Sequence, residues 1–432
     1  MEKYKFLQNE AGDIEYPVGI RQLAFIRADL NGREKYGQDS GVANVGSGIR
    51  LRIPIDYKRL EKVIGRIINE NDALRLILVQ HGDTYKQKVI EHYPYKLDVY
   101  EAEGKTKDDR LKNAVEIASR EVNTVIDWFN EPSCRFFLVK IGWNDHIFVW
   151  MAHHWIGDGS TTGLIMDKIF RYYTDPNTKC EETGTYMDFI QEEYDFLASE
   201  QGKKQLEYWK KETDGYQMLD ITKAAIGERG AGYDHTFKID RTAIDRIAAA
   251  NNTTPFNVIL LAYHIGLSFL LDSKDTIIGV TSANRTDKRY FRTMGYIAHP
   301  LQHRMKISDK DMLSDLLTSS KNKFSENMTY LRSSHYYDRM QFCLTYQNFV
   351  AGSKTKNMKL DKVSIPTKRS VEQFFLLVFE GEKELTLGTS GSGQVFTEAF
   401  QLSLLKLFED VITLLDTDPS ASVEDAAKKQ KA

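Results

Sequence analysis

Residues 152–159 read Ala-His-His-Trp-Ile-Gly-Asp-Gly and stand where two sequence patterns meet. Before them, residues 134–141 and 146–153 are two apolar runs joined by Gly-Trp-Asn-Asp, a pattern that predicts two paired strands. After them, residues 161–173 repeat apolar side chains at three- and four-residue spacing, which predicts a helix. The two histidines therefore lie where a buried strand ends, and the Asp-Gly pair lies in the turn before a helix.

The adjacent histidines suggest an acid–base site, because one of the two side chains can face a cavity. Neighbouring residues on a strand point to opposite faces, so His153 and His154 cannot both do so. An imidazole accepts a proton at neutral pH and returns it, as attack of an amine or hydroxyl on an acyl group requires. Taken alone, a histidine pair at a strand end is more often a packing feature. Asp158 could equally hold its loop by pairing with an arginine.

Metal and disulfide chemistry are disfavoured by the residue spacing. A structural or catalytic zinc ion needs at least three protein ligands, and no third His, Cys or carboxylate stands at a typical metal-site spacing, so we expect no metal. The three cysteines, Cys134, Cys180 and Cys343, are odd in number and form no CxxC pair. We therefore expect free thiols in a reducing compartment.

The composition is that of a globular protein. Of the 432 residues, 41 % are hydrophobic and 28 % are charged, and the net charge of -3 comes without a basic stripe that could bind nucleic acid. The N-terminal residues do not resemble a secretory signal, and the longest apolar runs are far shorter than the ~20 residues of a membrane span. We expect a cytoplasmic protein with no nucleic-acid or membrane partner.

The order of patterns along the chain predicts two similar halves. The polar stretch 174–185 interrupts the periodicity, so we place a boundary there, with an N-terminal lobe at 1–175 and a C-terminal lobe at 176–432. Both halves mix helical and strand patterns, which predicts an α/β (α+β) fold. A cleft between two like lobes is a natural place for an active site.

The main predicted elements are strands at 42–55, 134–141, 146–153, 233–239, 275–281, 340–348 and 372–379, a hairpin at 76–90, and helices at 57–71, 107–124, 161–173, 188–212, 242–251, 254–271 and 396–415.

The string at 152–159 contains HHxxxDG, the signature of the condensation-domain superfamily of nonribosomal peptide synthetases, which are relatives of chloramphenicol acetyltransferase. The chain resembles this family from about residue 16 to about residue 415. Stretches similar to other family motifs follow in the expected order, at 70–75 (ENDALR), 131–136 (EPSCRF), 284–286 (NRT), 294–301 (MGYIAHPL) and 346–348 (YQN). The chain departs from the family pattern at Asn71 in place of histidine, at Asn284 in place of glycine, at Ala298-His299 in place of Asn-Thr, and at Ser160 in place of tryptophan.

The resemblance implies two chloramphenicol acetyltransferase-like lobes arranged as a V around a central tunnel. It assigns catalytic positions to His153, His154, Asp158 and Gly159, with His154 as general base or positioning acceptor for the attacking amine. Asp158 would pair with Arg285, and backbone N–H groups near Gly159 could face a developing oxyanion. The other residues implied at structural or tunnel positions are Trp155, Ser160, Tyr346 and Asn348.

The implied reaction is amide (peptide) bond formation between a donor acyl thioester on one carrier protein and an acceptor amine. The chain would bind no cofactor itself, because phosphopantetheine-linked substrates arrive on donor and acceptor peptidyl carrier proteins or adjoining synthetase modules. We expect a monomer. The basic loop 351–369 lies where the family has a latch that crosses between lobes, although a mobile surface loop would show the same composition.

Four alternatives stay open at the level of sequence. Within the superfamily, the chain could be a free-standing amide or ester synthase, or an acyltransferase that uses coenzyme A. An epimerising domain is less favoured, since its additional glutamate-bearing motif is not found. In a different class, the chain could be a non-catalytic module that only docks carrier proteins, which the intact signature disfavours.

Overall fold

The computed structural model describes residues 7–8, 14–36, 44–223, 236–333, 340–347, 361–365, 374–381, 383–391, 396–418 and 420–431. Helices and strands alternate through these ranges, and the mixed α/β fold that the sequence predicts is confirmed. The strands are β1 Leu7–Gln8, β2 Ile14–Pro17, β3 Asn44–Leu51, β4 Leu76–His81, β5 Thr84–Val89, β6 Asp98–Glu101, β7 Cys134–Gly142, β8 Asp145–His153, β9 Thr236–Asp240, β10 Asp275–Ser282, β11 His299–Lys306, β12 Phe342–Gln347, β13 Asp361–Val363, β14 Phe374–Glu380 and β15 Glu384–Gly391. The helices are α1 Ile20–Tyr36, α2 Tyr57–Glu70, α3 Lys107–Val122, α4 Gly159–Thr174, α5 Tyr186–Ala198, α6 Glu200–Glu212, α7 Arg241–Ala250, α8 Pro255–Leu270, α9 Leu313–Thr329, α10 Glu398–Thr417 and α11 Val423–Lys431.

The residues group by their contacts into two compact units. The first consists of the described residues within 1–198, 283–298 and 349–370, and the second of those within 199–282, 299–348 and 371–432. The sequence-based division at 175/176 differs from this grouping because α5 packs into the first core through Tyr186, Met187 and Ile190. A polar break in periodicity marks a loop and does not show which core the next helix joins. The V-shaped arrangement around a tunnel stays a prediction.

The first unit is built on the pair β7 and β8, which run antiparallel with Cys134 opposite Ala152. Every residue of β8 is buried, because its sheet is covered on both faces. One face packs Phe148 and Trp150 into the larger core of this unit, and the other packs Ile147 and Val149 against the α3 side. The sheet order is β13-β3-β8-β7-β6, and a separate four-stranded sheet has the order β1-β2-β5-β4.

Local sequence signals explain where the helices of this unit begin. The Asp56 side chain accepts the Arg59 N–H at the start of α2, and Thr106 with Asp109 forms a capping box at the start of α3. Such caps satisfy backbone donors that have no partner within the helix. At α4 the cap is Asp158, which accepts the N–H of Thr161 and thereby joins the sequence signature to the helix.

The second unit carries a six-stranded sheet of order β11-β10-β12-β14-β15-β9. Strands β10, β12 and β14 run parallel, whereas β11, β15 and β9 pair antiparallel to their neighbours. Helix α8 is buried along most of its length and forms the centre of this core with α10. Its N-cap Thr254 and the proline at its first turn match the helix start that the sequence predicts.

Two segments leave the strands of the second unit and belong to the first. Residues 283–298 follow β10. Within the predicted latch 351–369, Asp361–Val363 form β13 and pair antiparallel with β3 of the first unit. The rest of that loop, at 351–360 and 366–369, lies outside the described residues. The pairing with β3 gives the backbone of Asp361–Val363 hydrogen-bonding partners.

Some predicted elements have different bounds from those observed. The single helix expected at 188–212 is two helices, α5 and α6, because Ser199 caps the second one by accepting the N–H of Gly202. Helix α1 was not predicted, and it contains an Asn31-Gly32 pair, which is more typical of a turn. Strand β11 and helix α9 were also not predicted.

Within the described ranges, no single helix is long and apolar enough to cross a membrane, although α7 and α8 pass that test as a pair bent by 99°.

Two fully buried histidines link α8, β10, β11 and α9 in the second unit. His264 Nδ1 lies 2.6 Å from the Thr276 hydroxyl, and its Nε2 lies 2.9 Å from His303 Nδ1. His303 Nε2 lies 3.1 Å from the carbonyl oxygen of Ser320, which can only accept. His303 therefore donates through Nε2, His264 donates to His303, and the threonine hydroxyl donates to His264. Burial lowers the pKa of His264 well below its usual range and that of His303 to about 4, with a further lowering from His303 on His264 and from Lys323 on His303.

We expect the free energy of unfolding to fall as the pH drops from about 6.5 towards about 4, because the unfolded chain binds protons that the folded histidines exclude. For His303 the loss at about pH 5 is about 2 kcal/mol. Urea unfolding at about pH 7 and about pH 5 measures this loss in the free energy of unfolding. His303→Gln should be less stable at neutral pH but show a shallower pH dependence than the wild type. The control is His92→Gln, which removes an exposed imidazole, and the slope of His303→Gln is compared with its slope. Equal slopes in wild type and His303→Gln would contradict the assignment.

Candidate active site

His153 is the last residue of β8 and its side chain is buried. Its Nδ1 accepts the N–H of Trp155 at 3.2 Å, so the ring proton is on Nε2, which lies 3.3 Å from Asp29 Oδ2. Burial lowers the pKa of His153 despite the nearby carboxylate. Arg33 donates twice to the same Asp29 oxygen and lies over the Trp128 ring. His153 is thus a neutral packing residue that fixes the turn after the strand.

His154 points into different surroundings and is only partly buried. Its Nδ1 lies 3.0 Å from the carbonyl oxygen of Gly157. Since a carbonyl oxygen only accepts, Nδ1 carries a proton, and in the neutral ring the lone pair is then on Nε2. Phe25 stacks on the imidazole at 4.4 Å and 19°, and Tyr296 meets it edge-on at 5.3 Å. This tautomer, with a defined ring plane, is the form that an acceptor for an amine proton needs.

Asp158 is an anchor that joins three stretches of the first unit. Its carboxylate is buried and accepts six hydrogen bonds, two each from Thr161 and Arg285 and one each from the N–H groups of Ile297 and Ala298. Arg285 is bidentate, at 2.8 and 3.1 Å. Burial on its own raises the pKa of Asp158, but the Arg285 charge and these bonds hold it below its usual range. The carboxylate therefore stays ionised at neutral pH and has an architectural role.

The segment 293–298 is fitted closely around this anchor. Gly295 has φ 145°, and a Cβ there would lie 2.2 Å from the Tyr186 ring, so only glycine fits. The hydroxyl of Thr161 accepts the N–H of Gly295 at 3.0 Å, and its one proton is shared between Asp158 Oδ1 at 3.1 Å and the Gly295 carbonyl oxygen at 3.0 Å. Tyr186 donates its hydroxyl to the carbonyl oxygen of Tyr296 at 3.2 Å. These bonds to the backbone of residues 295 and 296 fix the position from which the Tyr296 side chain extends towards His154.

The other residues singled out from the sequence lie in varied surroundings. Trp155 is fully buried and donates through Nε1 to Ser133 Oγ, which makes it structural. Gly159 and Ser160 begin α4, where Gly159 is exposed and Ser160 partly buried. Tyr346 belongs to the second unit, where it packs edge-on against Phe256, and burial raises the pKa of Tyr346 to about 12. Asn348 lies outside the described residues.

The sequence reasoning missed the residues of α1 that surround the histidines. Arg21 pairs with Glu193 at 2.8 Å and donates to the carbonyl oxygens of Ile297 and Ala298, with both charged groups buried. Phe25 and Asp29 lie on the same helix. Apolar residues at positions 20, 23, 26 and 30 have the spacing of a helix and could have revealed α1.

Within the described ranges, no group of three His, Cys, Asp or Glu side chains could hold a metal ion.

Comparison with known proteins places the site in a family. A profile of the condensation domain matches residues 33–425. The chain belongs to the condensation-domain family. The resemblance read from HHxxxDG is therefore confirmed, and the described HHxxxDG residues form a compact group in the first unit of a condensation domain.

The curated relatives of this condensation domain are much longer proteins. One component of the linear gramicidin synthase of Brevibacillus parabrevis is 22 % identical over 308 residues, which is 68 % of this chain and 6 % of that protein. Surfactin synthase subunit 1 of Bacillus subtilis (strain 168) is 26 % identical over 291 residues, which is 64 % of this chain and 8 % of that protein. The chain thus spans less than a tenth of the length of these relatives.

Solved structures share the fold. The condensation domain from Monacolin K polyketide synthase has a TM-score of 0.80 at 18 % identity, and the match covers 95 % of this chain and 99 % of that one. The X-domain from teicoplanin biosynthesis, solved in complex with OxyB, has a TM-score of 0.80 at 15 % identity, and the match covers 99 % and 98 %. These likenesses show that the condensation-domain fold is common to proteins of very different sequence.

We expect Arg285→Met to destabilise the first unit by about 3 to 5 kcal/mol, because it leaves the Asp158 charge buried without a cation. The combination of Asp158→Asn with Arg285→Met should regain part of this loss, since neither buried group is then charged. Arg289→Met is the control, because Arg289 pairs with Glu192 at the surface and its loss should hardly change the unfolding midpoint. Urea unfolding of the four proteins, wild type included, measures the effect. Equal destabilisation by Arg285→Met and Arg289→Met would contradict the anchor role.

Proposed function

We propose that this condensation domain forms an amide bond between a donor acyl thioester and an acceptor amine, each presented on the phosphopantetheine arm of a carrier protein. The observation that carries the proposal is the hydrogen bond of His154: its Nδ1 proton is donated to the carbonyl oxygen of Gly157, so in the neutral ring Nε2 holds the lone pair. The HHxxxDG residues around it and the family match support the same reaction class.

In this reaction the acceptor nitrogen attacks the thioester carbonyl carbon. A C–N bond forms, the C–S bond breaks, and the nitrogen loses a proton while the departing phosphopantetheine sulfur ends as a thiol. His154 Nε2 accepts the amine proton or a hydrogen bond from it, and a general base of this kind contributes roughly 10²- to 10⁴-fold to the rate. Orientation of two already reactive groups contributes roughly 7 to 11 kcal/mol of barrier lowering.

The neighbouring residues support these steps without touching the transferred proton. Asp158 keeps the start of α4 and the segment 293–298 in place, so that the turn carrying His154 has one shape. Backbone N–H groups in the first turn of α4, next to Gly159, could stabilise the oxyanion of the tetrahedral intermediate.

Phosphopantetheine is part of the substrates, and the proposed partners are donor and acceptor carrier proteins or adjoining synthetase modules. The proposal includes a cytoplasmic monomer.

A second candidate is a recruitment module that binds other proteins and catalyses nothing. The observation behind this candidate is the fold match to the X-domain, which was solved as a complex with another protein, OxyB. The intact signature and the defined tautomer of His154 favour catalysis, since a docking surface needs neither. An acyltransferase that takes its donor from coenzyme A would use the same residues and differs only in the donor.

We expect His154→Ala to lower amide formation by at least about 100-fold while carrier-protein binding is retained, because only the proton acceptor is lost. Intact-protein mass spectrometry of loaded donor and acceptor carriers after incubation reports both the transferred acyl group and its acceptor. His92→Ala is the matched control, since His92 is an exposed histidine of the first unit and its loss should leave turnover unchanged. Transfer from acyl-coenzyme A alone would favour the acyltransferase alternative. Unchanged product formation by His154→Ala, in a protein with wild-type melting behaviour, would remove the catalytic assignment.

A further inference from the structure

The imidazole of His154 lies between two aromatic side chains from different parts of the first unit. Phe25 of α1 stacks on one face, with ring centroids 4.4 Å apart and planes 19° from parallel. Tyr296 is perpendicular to both rings, at 5.3 Å from the imidazole and 4.9 Å from Phe25. Aromatic rings prefer these offset and edge-on geometries. The imidazole of His154 thus has a carbonyl partner at Nδ1 and an aromatic ring on one face and at one edge.

Phe25 is held in position by polar contacts one turn earlier on α1. Gln22 is buried and donates through Nε2 to the carbonyl oxygen of Trp155, the residue after His154. Arg21 is buried and donates to the carbonyl oxygens of Ile297 and Ala298 at 3.0 Å each. The helix is therefore bonded both to the signature turn and to the segment that carries Tyr296, which fixes the stacking ring relative to both.

Tyr296 is held from its other side by α5. Tyr186 donates to the Tyr296 carbonyl oxygen, and its ring lies against Gly295. The N-terminus of α5 is in turn bound by Asp72, whose carboxylate accepts the N–H groups of Tyr186 and Met187 at 3.1 and 2.9 Å. Asp72 belongs to the stretch 70–75 that resembles a family motif. These contacts form a continuous path from that stretch to the ring beside His154.

We propose that Phe25 and Tyr296 are positioning residues that set the plane of the His154 imidazole and so the direction of its Nε2 lone pair. The inference rests on the proposed function for its kinetic consequence, but the ring geometry itself is independent of it. The hydrogen bond through Nδ1 determines which ring nitrogen carries the proton, and the stacked and edge-on rings limit the orientations that the imidazole plane can take. Misplacement of a reacting group by about 1 Å costs up to about 100-fold in rate.

The test compares Phe25→Leu with Phe25→Tyr. Leucine keeps most of the apolar volume and loses the flat face, so we expect kcat for amide formation to fall about 10- to 100-fold while KM for the loaded carriers changes by less than about twofold. Tyrosine keeps the stacking face and should restore kcat to within about threefold of the wild type. Leu30→Ala is the control for damage to α1, since Leu30 is five residues further along the helix, about 140° round it from Phe25.

A spectroscopic measurement separates this inference from the proposed function. In a proton–carbon correlation spectrum of the histidine rings, assigned with His154→Ala, the stacked Phe25 ring should shift the ring protons of His154 upfield. Phe25→Leu should remove that shift, and Phe25→Tyr and Leu30→Ala should keep it. If His154→Ala turns over normally, the proposed function fails, and these shifts still decide whether Phe25 positions the ring. An unchanged His154 signal in Phe25→Leu, or a kcat loss in Leu30→Ala equal to that in Phe25→Leu, would overturn the inference.

Discussion

One buried charge organises the first unit of this protein. The Asp158 carboxylate is buried, yet it stays ionised because Arg285 and the N–H groups of Thr161, Ile297 and Ala298 surround it. Burying a carboxylate costs several kcal/mol unless it is paired and hydrogen-bonded on all sides. The chain therefore has to bring α4, the 283–298 segment and the end of β8 together in one arrangement. The signature aspartate therefore holds the start of α4 and the 283–298 segment together.

The two histidines of the signature show how one strand end supplies two different functions. β8 is buried on both faces, so the residue that ends it, His153, is neutral and packed against Trp128 and Asp29. The turn that follows moves His154 out of the strand register and gives it a carbonyl partner on one ring nitrogen. The same stretch of backbone thus serves both fold stability and the proposed chemistry. The packing that buries His153 also determines where the imidazole of His154 lies.

Sequence reasoning located the signature, the β7–β8 pair, α4 and the pairing of Asp158 with Arg285, because a buried strand, a helix period and a short motif are local patterns. It did not find α1, whose Asn31-Gly32 pair suggests a turn although packing of Ile26 and the bonds of Arg21 and Asp29 keep it helical. It also missed the aromatic contacts of Phe25 and Tyr296 with His154, which join residues more than 100 positions apart. Such contacts depend on tertiary packing, and the only local hint was the apolar spacing along α1.

The most direct test of this account is amide hydrogen exchange in the wild type and in Asp158→Asn, followed at Thr161, Ile297 and Ala298. The substitution turns one carboxylate oxygen into a donor and removes the charge that Arg285 needs, so the carboxamide cannot serve all of these groups. If Asp158 is the common anchor, the three amides will exchange at least about tenfold faster together, while amides within β7 and β8 keep their protection. If protection is unchanged at all three, or is lost at one and kept at the others, the carboxylate is not the joint on which the site depends.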